Sequence, residues 1–390
     1  MQELETLNVI ISGHIDHGKT TLLFKLSRKW TDTHSEELKR GITIKLGYAD
    51  ITISKNDEYN IDNKGTPQRY ITFIDSPGHE MLMATMLSGA AIVDAAILVV
   101  AANEGIKPQT REHLMALQAK NIKNIIIVQN KIDLVTKDKA IENYNIIKKE
   151  FKGTIAENSL VIPVSSQQEI NIERIYEALC EIKVPERNPD ETPLFLVARS
   201  FDINKPGTKP QNLHGAVLGG TLKKGILKVG DTIEIKPGIM TKEANQLKYK
   251  TIKTKISSLF KGSSKTDKIT PGGNASIETE LDMALGKADI LSGCVVSLQG
   301  KLPEITNKIT IKYQLFKEFL GGIQIPPLKP SETIMLSINT SVTVGVISKL
   351  LKEEAEIHLK IPIVPFKDNK VGIARNVNNH WRLIGHGEIK

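Results

Sequence analysis

The segment from Gly13 to Thr20 reads GHIDHGKT and carries the strongest chemical signal in the chain. Its spacing, G-x-x-x-x-G-K-T, is typical of a loop that wraps the phosphates of a nucleotide. It follows the apolar run Leu7–Ser12, which predicts a strand, and it precedes a helical pattern from Lys19. The glycines would let backbone N–H groups face the phosphates, Lys19 would supply positive charge, and the Thr20 hydroxyl would bind Mg²⁺. The sequence therefore predicts a nucleotide and Mg²⁺ at this loop.

Four more residues of the phosphate loop and the first helical turn, Asp16, His17, Gly18 and Thr21, are expected to line the nucleotide. We interpret His14 and His17 as residues that shape the loop rather than as a metal-binding pair. Asp16 is unusual, because a carboxylate beside phosphates is repelled by them. Either its side chain points away, or a second cation neutralises it.

The motif Asn130-Lys131-Ile132-Asp133 indicates which base is bound, and it comes directly after the apolar run Asn124–Gln129. The carboxylate of Asp133 could accept hydrogen bonds from the N1–H and the 2-amino group of guanine, a pattern that adenine lacks. Asn130 would connect this loop to the phosphate loop, and the stem of Lys131 would cover the base. We therefore expect a guanine nucleotide.

A third loop, Ser165-Ser166-Gln167, follows the apolar run Leu160–Val164. Parallel strands end at the same edge of a sheet, so this loop is expected to lie near the base. A backbone N–H of Ser165, Ser166 or Gln167 could then bind guanine O6.

Two further segments could respond to the third phosphate. Asp75 follows the predicted strand Tyr70–Ile74 and could hold Mg²⁺. The N–H of Gly78 could contact the γ-phosphate, and His79 could orient the attacking water, the task of glutamine in other GTPases. The Thr43 hydroxyl would bind Mg²⁺ only while that phosphate is present, which predicts an order–disorder switch. An arginine finger is not evident, so hydrolysis should be slow without a partner.

The elements that must position these loops change character along the chain. The first half alternates predicted strands and helices, which indicates an α/β domain with a mostly parallel sheet and helices on both faces. After the proline-rich stretch Val184–Pro193, short strands separated by Gly and Pro turns predict two all-β units, barrels or sandwiches. The expected domains are residues 1–190 for the nucleotide, 191–303 for one β-barrel and 304–390 for another.

The composition of the 390 residues excludes several classes. Two cysteines, Cys180 and Cys294, cannot form a disulfide framework or a four-cysteine zinc site, and a cytoplasmic location fits best. The longest apolar run, Ala95–Ala102, is too short to cross a membrane. A net charge of +8 fits either a solvated lysine-rich surface or a partner that carries phosphates.

Taken together, the motifs resemble those of the translational GTPases and, within them, the family of gamma subunits of archaeal and eukaryotic translation initiation factor 2. The similarity runs through nearly the whole chain. Its stretches are GHIDHGKTT from Gly13, WTDTHSEELKRGITI from Trp30, FIDSPGH from Phe73, PQTREHLMAL from Pro108, GTIAEN from Gly153, RSFDINKPGT from Arg199, GAVLGGTLKKGILKVGDTIEIKPG from Gly215 and WRLIGHGEIK from Trp381.

This resemblance implies a GTPase domain followed by two β-barrels. It implies a heterotrimer with alpha and beta subunits that carries initiator methionyl-tRNA to the small ribosomal subunit in the GTP state and hydrolyses GTP on start-codon selection. In that family alpha docks on the second barrel-bearing region, and beta contacts the GTPase domain.

The resemblance also implies two finer features of the site. The methionylated acceptor end would lie between the GTPase domain and the first barrel, with Tyr48 as an aromatic contact, although a tyrosine of a core strand is an equal alternative. A second cation is implied near Asp16 and Gly41.

Two departures from the family pattern alter these expectations. Many members carry a four-cysteine zinc knuckle between the switch regions, whereas the matching stretch Ser54–Gln68 has no cysteine, so we expect no zinc. The third loop reads Ser165-Ser166-Gln167 where the family usually has Ser-Ala, and a backbone contact to guanine tolerates that change. Two other functions stay open: an elongation factor that delivers a special aminoacyl-tRNA such as selenocysteyl-tRNA, and a sulfate-activating GTPase.

Overall fold

The computed structural model describes residues 4–31, 46–77, 83–243, 246–317 and 324–390. The chain divides into two compact units. The first unit comprises residues 1–185 with 316–325 and 377–383, and the second comprises 186–315, 326–376 and 384–390.

A seven-stranded sheet forms the centre of the first unit. Its strands are β1 (Thr6–Gly13), β2 (Gly47–Lys55), β3 (Tyr59–Asn60), β4 (Thr66–Asp75), β5 (Ala95–Ala101), β6 (Asn124–Asn130) and β7 (Leu160–Pro163). The order is β3-β2-β4-β1-β5-β6-β7, with β4, β1, β5, β6 and β7 parallel and the β2–β3 extension antiparallel. Strand β5 is apolar and buried at every position, as expected for a strand that is covered on both faces.

The described helices of this unit follow the predicted alternation. They are α1 (Lys19–Ser27), α2 (Met83–Ala90), α3 (Pro108–Ala119), α4 (Lys137–Glu150) and α5 (Ile172–Glu181). Pro108 opens α3, where its missing N–H costs no hydrogen bond, and the Thr136 hydroxyl caps α4 by accepting the Lys139 N–H at 3.4 Å.

Side chains of α1 and α5 pack on one face of this sheet. Leu22 and Leu26 of α1, together with Leu179 of α5, are fully buried against Val9 and Ile11 of β1. Because β1, β5 and β6 are parallel neighbours, the loops that follow them emerge at one edge of the sheet. The phosphate loop and the N-K-x-D motif come at the ends of β1 and β6, at that edge.

Two closed barrels follow the seven-stranded sheet along the chain. The first is built from β8 (Leu194–Phe201), β9 (Val217–Lys224), β10 (Leu227–Lys228), β11 (Thr232–Glu243), β12 (Gln246–Lys261), β13 (Ser264–Thr266), β14 (Lys268–Ile269), β15 (Ala275–Thr279) and β16 (Val295–Leu298). Six strands pair in the order β11-β16-β8-β9-β15-β12, and pairing of β12 with β11 closes the ring. Buried side chains such as Phe195, Leu218 and Val296 fill its interior.

The second barrel is formed by the last six strands. They are β17 (Thr306–Leu315), β18 (Thr333–Ile338), β19 (Ser341–Leu350), β20 (Glu354–Ile363), β21 (Lys370–Val377) and β22 (His380–Ile389). The barrel closes in the order β17-β20-β19-β18-β21-β22. Ile311, Ile334 and Ile373 are fully buried within it.

The predicted fold class is confirmed: a parallel-sheet α/β domain is followed by two all-β domains. The choice between barrels and sandwiches is decided in favour of barrels, because both sets of strands close on themselves. The domain limits at residues 190 and 303 stay a prediction.

Candidate nucleotide-binding site

The phosphate loop links the end of β1 at Gly13 to the start of α1 at Lys19. Its two glycines are required by close approaches. A Cβ on Gly13 would lie 2.4 Å from the Val99 carbonyl oxygen, and one on Gly18 would lie 2.5 Å from Nδ2 of Asn130. Both glycines also have positive φ angles, of 140° and 85°, which strain other residues. The loop therefore has the compact form that the motif predicts.

Lys19 lies at the start of α1 with its side chain folded back on the loop. Its Nζ donates a hydrogen bond of 2.8 Å to the His14 carbonyl oxygen. Only 7% of the residue is exposed. The ammonium group is thus held at the position where the motif predicts phosphate charge, next to the positive end of a helix.

Thr20 and Asp75 come together as the sequence predicts for a metal site. Oγ1 of Thr20 donates to Oδ2 of Asp75 at 3.2 Å, and Asp75 is fully buried. Oγ1 of Thr31 donates to the same carboxylate oxygen at 3.1 Å, a contact that sequence reasoning missed. Hydroxyl and carboxylate oxygens are ligands that Mg²⁺ accepts, so these residues fit the ion. Gly41 and Thr43, also expected near metal, lie outside the described residues.

The two histidines of the loop face the protein interior to different degrees. His17 is fully buried, and its Nδ1 lies 3.2 Å from the Val99 carbonyl oxygen. Burial lowers the pKa of His17 to about 4, and burial also lowers the pKa of His14. A neutral imidazole packed on β5 shapes the loop, so a contact of His17 with a nucleotide would involve its backbone. Asp16 is exposed, with a left-handed φ of 61°.

Asn130 joins the phosphate loop to the two loops expected at the base. Its Nδ2 donates to the His17 carbonyl oxygen at 2.9 Å. Its Oδ1 accepts from the backbone N–H of Ser166 at 3.1 Å and from the Ser166 hydroxyl at 2.8 Å. The structure therefore brings together three segments that are distant from one another in the sequence.

Of the residues expected at the base, Asp133 borders an open cavity. Asp133 is exposed in the turn Ile132–Leu134 and borders a cavity of about 450 Å³. Lys131 has a left-handed φ of 62°, and its Nζ lies 3.8 Å from a carboxylate oxygen of Glu104. Ser165 is fully buried and accepts the Gln168 N–H through its Oγ at 3.1 Å, while Gln167 is exposed.

The remaining predicted residues are Gly78, His79, Thr21 and Tyr48. Gly78 and His79 lie outside the described residues. Thr21 lies half-buried in the first turn of α1. Tyr48 lies half-buried in β2 opposite the fully buried Ile74, on the other face of the sheet from Ala49.

In the stretch Ser54–Gln68, where we expect no zinc, the side chain of Asn60 holds the backbone of the turn. Nδ2 of Asn60 donates to the Lys64 carbonyl oxygen at 2.9 Å, and Oδ1 of Asn60 accepts the backbone N–H groups of Asp62 and Lys64 at 3.2 and 3.3 Å. Zinc knuckles need thiolate or imidazole ligands, and Ser54–Gln68 contains neither, so the residues present do not fit the metal.

Sequence reasoning also missed two side chains of α3 that touch the phosphate loop. Gly13 N–H donates to Nδ1 of His113 at 2.8 Å, and Ile15 N–H donates to Oε1 of Gln109 at 3.4 Å. The sequence PQTREH shows that Gln109 and His113 are four residues apart and share a helix face, but it does not show that this face contacts the phosphate loop.

A phosphate loop after the first strand of a parallel sheet, an N-K-x-D turn beside it and two following barrels define a GTPase of the translational class. The Elongation factor Tu GTP binding domain family matches residues 4–185, and the family of the C-terminal region of initiation factor eIF2 gamma matches residues 307–389. The translation initiation factor 2 subunit gamma of Methanococcus vannielii is 49% identical over 98% of both chains. The chain therefore belongs to the family of translation initiation factor 2 gamma subunits.

Solved structures show the same fold. The bacterial selenocysteine-specific elongation factor EF-Sec superposes with a TM-score of 0.79 at 24% identity, and the match covers 99% of this chain and 58% of that one. Elongation factor SelB of Methanococcus maripaludis with the GTP analogue GppNHp gives 0.77 at 24% identity, covering 100% and 80%. None of the described helices is long and apolar enough to span a bilayer.

Proposed function

We propose that this GTPase is the GTP-switched subunit of translation initiation factor 2 that binds initiator methionyl-tRNA and delivers it to the small ribosomal subunit. It would act with the alpha and beta subunits in the cytoplasm. The observation that carries the proposal is the 49% identity to a named gamma subunit over 98% of both chains. The proposed domains are residues 1–190, 191–303 and 304–390.

In the proposed function, the guanine nucleotide binds where Asn130 joins its own loop to the phosphate loop at His17 and to the third loop at Ser166. Asp133 reads the base, and a backbone N–H of the Ser165–Gln167 loop binds its O6. The N–H groups of residues 16–21 and the ammonium of Lys19 receive the phosphates. The short contacts of Asn130 support this arrangement, because they bring the base loops against the phosphate loop.

Thr20, Asp75 and Thr43 would hold Mg²⁺, which bridges the phosphates and neutralises charge that develops during hydrolysis. Gly78 would contact the γ-phosphate through its N–H, and His79 would orient the attacking water. Asp16 and Gly41 would hold a second cation. The 3.2 Å contact between Thr20 and Asp75 supports the first metal site.

Binding of tRNA in the GTP state tests the proposed function. Filter-bound complexes are measured with initiator methionyl-tRNA, elongator methionyl-tRNA and selenocysteyl-tRNA, each with a GTP analogue and with GDP, and with alpha and beta subunits present. We expect the filter to retain initiator methionyl-tRNA in the presence of the GTP analogue but not in the presence of GDP, and to retain neither of the other two tRNAs. The same assay with two variants tests the proposed contact of Tyr48 with the acceptor end. Tyr48→Ala should reduce retention of initiator methionyl-tRNA, whereas Tyr48→Phe should preserve it because the aromatic ring remains.

The alternative function is that of an elongation factor for selenocysteyl-tRNA, because a selenocysteine-specific elongation factor has the same fold. A preference for selenocysteyl-tRNA would favour it. An absence of GTP-dependent preference among the three tRNAs would overturn the carrier function while leaving the GTPase intact.

A further inference from the structure

One face of α3 lies against the phosphate loop. Gln109 and His113 are four residues apart and therefore project from the same side of the helix. His113 accepts the Gly13 N–H through Nδ1 at 2.8 Å, and Gln109 accepts the Ile15 N–H through Oε1 at 3.4 Å. Two backbone donors of the loop are thus bound by one helix.

The chemical state of His113 suits this task. The residue is 1% exposed, and its Nδ1 can accept only when the proton resides on Nε2. Burial, with the nearby charge of Lys19, lowers the pKa of His113 to about 3, so the ring is neutral at physiological pH. His113 is consequently a permanent acceptor rather than a titrating group in that range.

Gly13, whose N–H His113 accepts, has a constrained backbone. Its φ of 140°, and the 2.4 Å that would separate a Cβ from the Val99 oxygen, permit only glycine, which has the largest conformational freedom in the unfolded chain. A buried N–H without a partner is costly. A fixed acceptor at this point therefore selects one conformation of the segment that follows.

We propose that His113, assisted by Gln109, is a positioning residue of the nucleotide site. By holding the Gly13 and Ile15 peptides, α3 directs the following N–H groups, from Asp16 to Thr20, towards the phosphates before the nucleotide arrives. Preorganisation of this kind favours binding, because the loop loses less conformational entropy when the nucleotide binds. The inference rests on the proposed nucleotide site, and it concerns the phosphates rather than the base.

Two substitutions separate the hydrogen bond from packing. His113→Leu fills a similar volume without an acceptor, whereas His113→Asn places Oδ1 close to the position of Nδ1 and keeps the acceptor. Arg111→Ala is the control on the same helix, because its side chain is 40% exposed and pairs with Glu150. The full chain is used in every case, and the release rate of a fluorescent GDP is measured with the affinities for GDP and for guanosine.

We expect His113→Leu to release GDP about tenfold faster, the effect of one lost buried hydrogen bond. Its affinity for guanosine, which lacks phosphates, should stay within about twofold of the parent chain, as a working limit for an unperturbed base site. His113→Asn should restore most of the GDP retention, and Arg111→Ala should behave as the parent chain does.

Equal release rates in the parent chain and His113→Leu would overturn the inference, and so would a parallel loss of GDP and guanosine affinity. If His113→Leu fails to fold, Gln109→Met supplies the same comparison from the first turn of α3. A parent chain that binds neither GDP nor guanosine would instead refute the proposed nucleotide site itself.

Discussion

Asn130 and His17 are joined by a hydrogen bond of 2.9 Å from the side-chain Nδ2 to the backbone oxygen, across 113 residues of sequence. The same side chain accepts two hydrogen bonds from Ser166. Gly18 has no room for a Cβ because Asn130 lies there. The geometry of the phosphate loop and that of the base loops are therefore coupled through one amide.

Asn130→Ala should weaken GDP binding by about tenfold to a hundredfold, because it leaves two buried backbone groups without their partners. Titration with a fluorescent GDP measures the affinity. Asn145→Ala, at an exposed position of α4, is the matched control and should leave it unchanged. An unaltered affinity in Asn130→Ala would show that the loops hold their positions without this side chain.

Asp133→Asn should shift the preference from guanine towards xanthine nucleotides. The proposed role of the carboxylate is to accept two hydrogen bonds from guanine, whereas an amide both donates and accepts, which suits the 2-oxo group of xanthine. Competition between GTP and XTP measures the shift. Asp138→Asn, exposed on the neighbouring helix, should keep the original preference. If Asp133→Asn still prefers GTP as strongly as the parent chain, the carboxylate does not read the base.

Thr20 and Thr31 donate to the same oxygen of Asp75, at 3.2 and 3.1 Å, yet we expect only one of them to bind Mg²⁺. Thr20→Val should raise the Mg²⁺ concentration needed to retain GDP by about tenfold or more, because it removes the proposed metal ligand. Thr31→Val should leave that concentration unchanged or lower it, since it removes one competing donor from the Asp75 carboxylate. Release of GDP across a Mg²⁺ titration measures both, and equal shifts would contradict the assignment.

His79→Ala should slow stimulated GTP hydrolysis by about a hundredfold, the usual contribution of a group that assists a proton transfer. GTP affinity should stay nearly constant, because the proposed role of His79 is to orient the water rather than to bind the nucleotide. Single-turnover hydrolysis with small ribosomal subunits provides the rate, and equilibrium binding provides the control. Equal rates would remove His79 from the mechanism.

Acidification should destabilise the folded chain through its buried histidines. The pKa values of His17 and His113 are lowered to about 4 and about 3, from an ordinary 6.5. The unfolded chain therefore binds more protons between these values, and the free energy of unfolding falls as pH drops below about 6.5. Each histidine contributes a slope of up to about 1.4 kcal/mol per pH unit.

His113→Asn should accordingly make the free energy of unfolding less dependent on pH, because unfolding of the variant takes up about one proton fewer. Urea unfolding at several pH values between about 5 and 7 measures the slope for both chains. The sign of the change is decisive, because a steeper slope in the variant would mean that His113 is charged in the folded state.

The sequence by itself determined the fold class and indicated which loops should form the site, because both inferences depend on short-range patterns. Strand and helix periods follow from the apolar spacing, and G-x-x-x-x-G-K-T and N-K-x-D each place their chemistry within a few residues. The motifs led us to expect Thr20 and Asp75 at one Mg²⁺ ion and Asn130 at the phosphate loop, and the structure brings each of these pairs together.

Only the tertiary structure decided which distant side chains support those loops. His113 reaches Gly13 because α3 packs beside the end of β1, and Thr31 reaches Asp75 because Gly47 leaves space for it. A helix pattern shows which residues share a face but not what that face contacts. Such contacts depend on how the sheet and helices pack, and local sequence does not encode that packing.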